Sequence, residues 1–382
     1  MRQNKICEML GIEFPLIAFS HCRDVVVSVS KAGGMGVFGA VNHPPDLLKE
    51  ELDWICDHID GKPFGLDLIV PEKMAGAGAS FSPENVLNAI PENHIEFINE
   101  ILNDHDITAP DLDEDRRNAA DFSKNLHQDG AQSSLDIAFQ YPISLIVNAL
   151  GVPPQFLRDK AKAHGVLTGA LIGSARHAIR QVEADVDILI AAGGEAGGHC
   201  GEVSTMVLIP EVARALGAMN IETPILAAGG IATGEQMAAA MAMGASGVWC
   251  GSVWLTTIEA ETNPVVKAKM LEAGSRDTIR SRSRTGKPSR QLRSAWTDAW
   301  EKDSAPNPLP MPFQSIVSEP PLRHIDKLSQ SDHAGAKDLA TYWVGQAVGL
   351  MNDTQSCGQV VQQFKTEFLE AIERMHGYIS EI

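Results

Sequence analysis

The stretch PILAAGGIATGEQMAAAMAMGASGVWCGS, Pro224–Ser252, reads as an apolar run, a glycine pair, a helix and a second apolar run that again ends in glycine. Thr233 and Gln236 have capping-box spacing, Met237, Ala240 and Met241 share one helical face, and Gly244 stands where a helix-ending residue belongs. This is one βα unit leading into the next. The same rhythm extends back along the chain, with runs at Pro15–Ser20, Gly34–Ala40, Phe64–Val70, Ile143–Leu150, Val166–Gly173 and Val186–Gly193. With Pro224–Gly230 and Gly247–Ser252 the runs number eight. Eight parallel strands suit a closed (β/α)8 TIM barrel better than an open doubly wound sheet of about five or six. The expected fold class is therefore α/β. Ser174 before a helix through Val182 repeats the cap signal, as do Thr256 and Glu259.

Two stretches break the rhythm. Residues from Pro71 to about Tyr141 are polar, with an amphipathic piece, IEFINEIL, at Ile95–Leu102. We expect an insertion after strand three, lid-like at the carboxyl-terminal face where barrel active sites lie. The expected organisation is thus a barrel over 1–262, with the insertion at about 71–141, and a helical extension over 263–382 packed on the barrel. Closing helices are expected around Leu339–Met351 and Val360–Tyr378.

Composition excludes several classes. A net charge of −18 opposes nonspecific binding to nucleic acid or anionic membranes. Apolar runs such as Val186–Ala192 fall well short of the roughly 20 residues a spanning helix needs. The amino terminus lacks a continuous signal-peptide core, and Cys7, Cys22, Cys56, Cys200, Cys250 and Cys357 show neither CxxC pairs nor Cys/His ligand spacing. These features lead us to expect a cytoplasmic protein with reduced thiols and no metal site.

The segment IAAGGEAGGHCGEVSTM, Ile190–Met206, packs glycines around Glu195 and His199 just after a buried strand. So much glycine lets backbone approach a flat ligand closely. A histidine on such a loop at the catalytic face is a candidate acid/base group; the alternative is a histidine that only bonds its own loop. Gly229–Gly230 and Gly251–Ser252 end the last two strands, the usual phosphate-binding place of a barrel. Tight turns without a ligand are the alternative there.

EAGGH, AAGGI, the late GS and GQAVGLM at Gly345–Met351 together resemble the nitronate monooxygenase family, formerly 2-nitropropane dioxygenases, over nearly the whole chain. The resemblance implies an FMN-dependent oxidoreductase, with Gly197, Gly229, Gly230, Trp249, Cys250, Gly251 and Ser252 at the cofactor. It implies that backbone at Gly230, Gly251 and Ser252 holds the phosphate and that His199 is the catalytic base. Ala18, Phe19 and Ser20 match the first-strand loop beneath the flavin, and His21 follows as either a second active-site histidine or a solvent-facing one. Two positions depart from the family pattern: Asp67 stands where Asn is usual, and Ala192 where Gln is usual. An amide donates hydrogen bonds whereas an ionised carboxylate only accepts, so Asp67 is either a flavin contact of altered kind or a salt-bridged strand residue.

The leading expectation is oxidation of nitroalkanes or nitronates by dioxygen to a carbonyl compound and nitrite. The alternative is an FMN-dependent reductase or dehydrogenase of an acyl-CoA. Residues 276–293, RDTIRSRSRTGKPSRQLR, bear on this choice because they carry seven positive side chains beside one acid. Such a cluster suits the phosphates of coenzyme A, or else pairs with acidic groups of the protein itself. Neither reading specifies an oligomeric state.

Overall fold

All eight apolar runs become strands, because each alternates one face toward helices and one toward the barrel interior. The protein is seen in a computed structural model that describes residues 4–41, 43–70, 83–108, 112–122 and 128–380. Its strands are β1 (Leu16–Ser20), β2 (Met35–Gly39), β3 (Phe64–Leu68), β4 (Leu145–Asn148), β5 (Leu167–Ile172), β6 (Ile188–Ala192), β7 (Gly198–His199), β8 (Ile225–Ala228), β9 (Gly247–Cys250), β10 (Thr278–Ser281) and β11 (Ser289–Leu292). The closed barrel runs β1-β2-β3-β4-β5-β6-β8-β9, and β9 returns to β1 with Cys250 opposite Ala18. β7, β11 and β10 form a separate small sheet.

Inside the barrel Ile17, Met35, Val37, Leu145, Val147, Ile188 and Ile190 form one buried cluster. Burying each such side chain contributes about 1.5–3 kcal/mol. Leu66 and Leu68 face outward with Val26, Phe38 and Leu52, so period two turns Asp67 inward.

Thr233 caps the helix Gly234–Ala242 by accepting from the amide of Gln236 at 3.2 Å, and Ser174 does the same for His177. The cap expected at Thr256 is absent. Ser252–Thr256 is a short 3-10 turn, and the next helix, Pro264–Glu272, is capped by Asn263. Glu259 instead accepts from the amide of Cys357.

Between β3 and β4 lie helices Pro83–Asn88, Glu92–Asn103, Leu112–Phe122 and Gln128–Ala138. Residues 71–82, 109–111 and 123–127 of the expected insertion lie outside the described residues. The helix Glu92–Asn103 buries Ile98, Ile101 and Leu102. His94 Nε2 donates to the Asn307 carbonyl at 3.0 Å, and Phe97 meets Trp300 edge-on at 5.0 Å, which ties this helix to the carboxyl-terminal part of the chain.

Beyond residue 263 the structure is not helical alone, because β10 and β11 form a hairpin that the polar sequence did not suggest. Of the two expected closing helices, the first is a short helix, Ala334–Leu339, followed by a 3-10 turn, Gln346–Leu350. The second, Cys357–Ser380, docks on the barrel through Glu367 to the Gly234 amide (2.8 Å), Lys365 to the Ala32 carbonyl (3.0 Å) and Phe368 against Phe14. Among the described residues no helix is long and apolar enough to cross a membrane.

Candidate functional site

Inward alternation brings Phe19, Asp67 and Trp249 to the carboxyl-terminal mouth, where the Phe19 and Trp249 rings stack at 5.9 Å and 22°. Gly39 has no room for a side chain: a Cβ there would lie 2.6 Å from His21 Nδ1 and 2.9 Å from Phe19 Cζ. His21 Nδ1 must carry its proton, since it donates to the Gly39 carbonyl at 2.7 Å. Burial lowers its pKa below the usual value and outweighs that bond, leaving a neutral ring with Nε2 as acceptor. His21 is half-buried beside Phe19 and does not face open solvent. Ala18 and Cys250 turn their side chains into the helix layer, so only their backbone is available to the mouth.

Asp67 is 4% exposed, and its Oδ1 has no hydrogen-bond partner among the described residues. Burial alone raises its carboxyl well above the usual range, which favours the un-ionised acid. The salt-bridged alternative is not what the structure holds: none of the ion pairs among the described residues involves Asp67.

Two loops at the ends of β8 and β9 present backbone to the same mouth. Gly229 and Gly230 have φ of 92° and 73°, a region open to glycine, and a Cβ on Gly230 would lie 3.0 Å from that of Glu195. Gln236 fastens this loop, donating to the Gly230 carbonyl at 2.7 Å and accepting from the Ala232 amide at 2.8 Å. Among the described residues no protein acceptor takes the amides of Gly230, Gly251 or Ser252. Free amides beside a helix amino terminus form a ready anion cradle. Gly345 donates to Ser252 Oγ at 2.8 Å, Gln346 donates to the Glu195 carbonyl at 2.9 Å, and Gly197 lies against Gly345. The GQAVGLM stretch thereby braces the loop after β9 and the His199 loop.

His199 sits on β7, opposite Ser289 of β11. Its Nε2 is 2.8 Å from Thr285 Oγ1, which is itself 3.3 Å from both the carbonyl and the amide of Lys287. When the hydroxyl donates to the Lys287 carbonyl it accepts from Nε2–H, which leaves Nδ1 with the basic lone pair. The residue is exposed, yet the protein packed around the ring disfavours its charged form. That desolvation, followed by the Lys287 ammonium, lowers the His199 pKa below the ordinary imidazole value. Glu195, by contrast, is a structural anchor, accepting from the amide and hydroxyl of Thr205 at 2.9 and 3.1 Å. Burial raises the thiols of Cys200 and Cys250, so neither is a ready nucleophile.

Protein groups occupy most of the basic segment. Arg284 forks onto Glu319 at 2.7 and 3.2 Å and stacks on Trp343 at 3.9 Å. Arg280 pairs with Glu202, Arg293 with Asp298, Arg282 binds the Gly286 carbonyl, and Arg290 binds the Gly194 carbonyl with two nitrogens. Arg290 thus supports the His199 loop. Thr285 and Lys287 are the site residues that sequence reasoning missed, because only the hairpin brings them to His199.

Comparison with known proteins shows the family and the fold. The family model described as nitronate monooxygenase matches residues 4–367. A candidate monooxygenase of Mycobacterium tuberculosis is 49% identical over 379 residues, covering 99% of each chain. Among solved structures, a nitroalkane oxidase from Streptomyces ansochromogenes superposes with a TM-score of 0.77 at 21% identity, covering 97% of this chain and 99% of that one. FabK from Thermotoga maritima gives 0.71 at 24%, covering 99% and 100%. At such identities these two show a shared fold only.

Proposed function

The chain belongs to the nitronate monooxygenase family and is an oxidoreductase, and from that premise we propose that it binds FMN and oxidises nitroalkanes or nitronates with dioxygen. The observation that carries this reading is that the loop bearing His199, whose pKa the fold lowers, and the free amides of Gly230, Gly251 and Ser252 lie at the same carboxyl-terminal end of the barrel. Those amides suit a phosphate, and the stacked Phe19 and Trp249 offer an aromatic wall for a flat ring. The flavin, when bound, supplies the electron transfer to dioxygen that side chains cannot perform. His199 takes the α-proton of the small carbon acid, and Thr285 holds the ring for that transfer. The exposed Lys287 ammonium favours the anion so formed. The acyl-CoA reading drew its support from the basic segment, whose arginines 280, 282, 284, 290 and 293 bond to protein instead. Anaerobic addition of a nitronate, of NADH or NADPH, and of acyl-CoA esters tests this directly. Bleaching of the flavin by the pyridine nucleotide alone would overturn the proposal.

The purified protein is expected to be yellow and to release FMN and not FAD, because the loops after β8 and β9 form one compact anion cradle. Chromatography of the released flavin identifies it, and a colourless protein that takes up no FMN on titration would refute the cofactor reading.

The pH profile follows from the lowered His199 pKa. The imidazole stays neutral and basic to lower pH, so the acid limb of kcat/KM for a neutral nitroalkane should lie below about 6.5, the ordinary histidine value. Removing the ammonium in Lys287→Gln should move that limb upward, and added salt should shrink the difference because Lys287 is exposed. Superimposable profiles for the two proteins at low salt would show that Lys287 does not tune the base.

A further inference from the structure

Asp67 is the acidic side chain of β3, and its surroundings are apolar. Its register neighbours are Gly39 on β2 and Val147 on β4, and Val147 belongs to the barrel's interior cluster with Val37, Leu145 and Ile190. The titratable side chains on the adjoining segments are His21 after β1 and His43 after β2, and burial holds both toward neutrality. β4 contributes none: Asn148 follows Val147 and spends its amide on the Val70 and Leu150 carbonyls. Among the described residues Asp67 therefore meets no cation, and an isolated buried carboxylate would cost several kcal/mol. The acid form avoids that cost, and Oδ1 has no hydrogen-bond partner among the described residues.

We propose that Asp67 is held un-ionised at neutral pH and serves the site as a hydrogen-bond donor to the bound flavin, so that FMN is released as this carboxyl loses its proton in alkali. The inference rests on the flavin reading given above. A carboxylic acid presents one O–H donor beside one carbonyl acceptor, so it can do what an asparagine side chain does in the same space. Unlike asparagine, it turns from donor to anion on deprotonation, which makes cofactor retention sensitive to pH.

Two measurements test this. The infrared difference between the purified protein and Asp67→Asn at neutral pH should contain the carbonyl band of an un-ionised carboxylic acid, and the band should vanish on raising the pH. Carboxylate bands at neutral pH would overturn the proposal. FMN dissociation constants, measured by fluorescence from about pH 6 to pH 10, should rise roughly tenfold per pH unit past the transition for the natural protein relative to Asp67→Asn. The ratio cancels the titration of FMN itself. Parallel curves for the two proteins would also overturn it. A protein that binds no FMN at any pH overturns the flavin reading and the donor role with it, while the infrared band separately decides whether the carboxyl is un-ionised.

Discussion

Replacing His199 with Asn slows turnover of a neutral nitroalkane by about 100- to 10,000-fold, the usual worth of a positioned general base. Asparagine keeps a polar side chain opposite Ser289 and can still reach Thr285, so β7 should stay paired with β11 and flavin content should hold. A pre-formed nitronate has already lost its α-proton and needs no base to remove it, so its turnover should fall far less. Steady-state kinetics with both substrate forms check this. Equal loss on both would mean that His199 orients substrate or cofactor and does not transfer a proton.

The second large effect concerns stability. Arg284 is buried, forked onto Glu319 and stacked on Trp343, with Tyr342 also near. Desolvation disfavours its charge, but Glu319 more than compensates and keeps the guanidinium protonated. Glu319→Ala leaves that cation without its counterion, and removing one partner of a buried pair costs about 3–5 kcal/mol. Because the Glu319 side chain is 24% exposed, the lower end, about 3 kcal/mol, is expected. Denaturant unfolding should show it as a lower midpoint at unchanged slope. Arg284 adjoins Thr285, so the loosened loop should also reduce proton abstraction by His199. The double substitution of Arg282 and Arg284 by Ala should likewise lower the melting temperature while leaving any acyl-CoA affinity alone. Unchanged stability with lost acyl-CoA binding would restore the thioester reading.

The strands and two of the helix caps were legible because their causes are local. Alternation within four to six residues sorts side chains between barrel interior and helix layer, and Thr233 and Ser174 reach amides within three residues of themselves. The cap expected at Thr256 failed because Glu259 found a partner 98 residues away, at the Cys357 amide. The same limit applies at the site. Glycine at 229, 230 and 251 marks places where backbone is open to close approach, and His199 stands out on its loop, all from spacing alone.

Distance in sequence hid the rest. Thr285 lies 86 residues from the histidine it bonds, on a hairpin whose polar strands carry no apolar alternation. The charge run at 276–293 displays seven positive groups, but the fold supplies acids or carbonyls to five of them from Gly194, Glu202, Gly286, Asp298 and Glu319. The sequence by itself determined the barrel, its glycine loops and the candidate base, since these follow from short-range periodicity and residue type. The tertiary structure alone decided in which direction burial pushes the titration of Asp67 and His199, and the fate of most of the arginines, because a charge's free energy depends on the groups and the solvent that folding brings to it or removes from it.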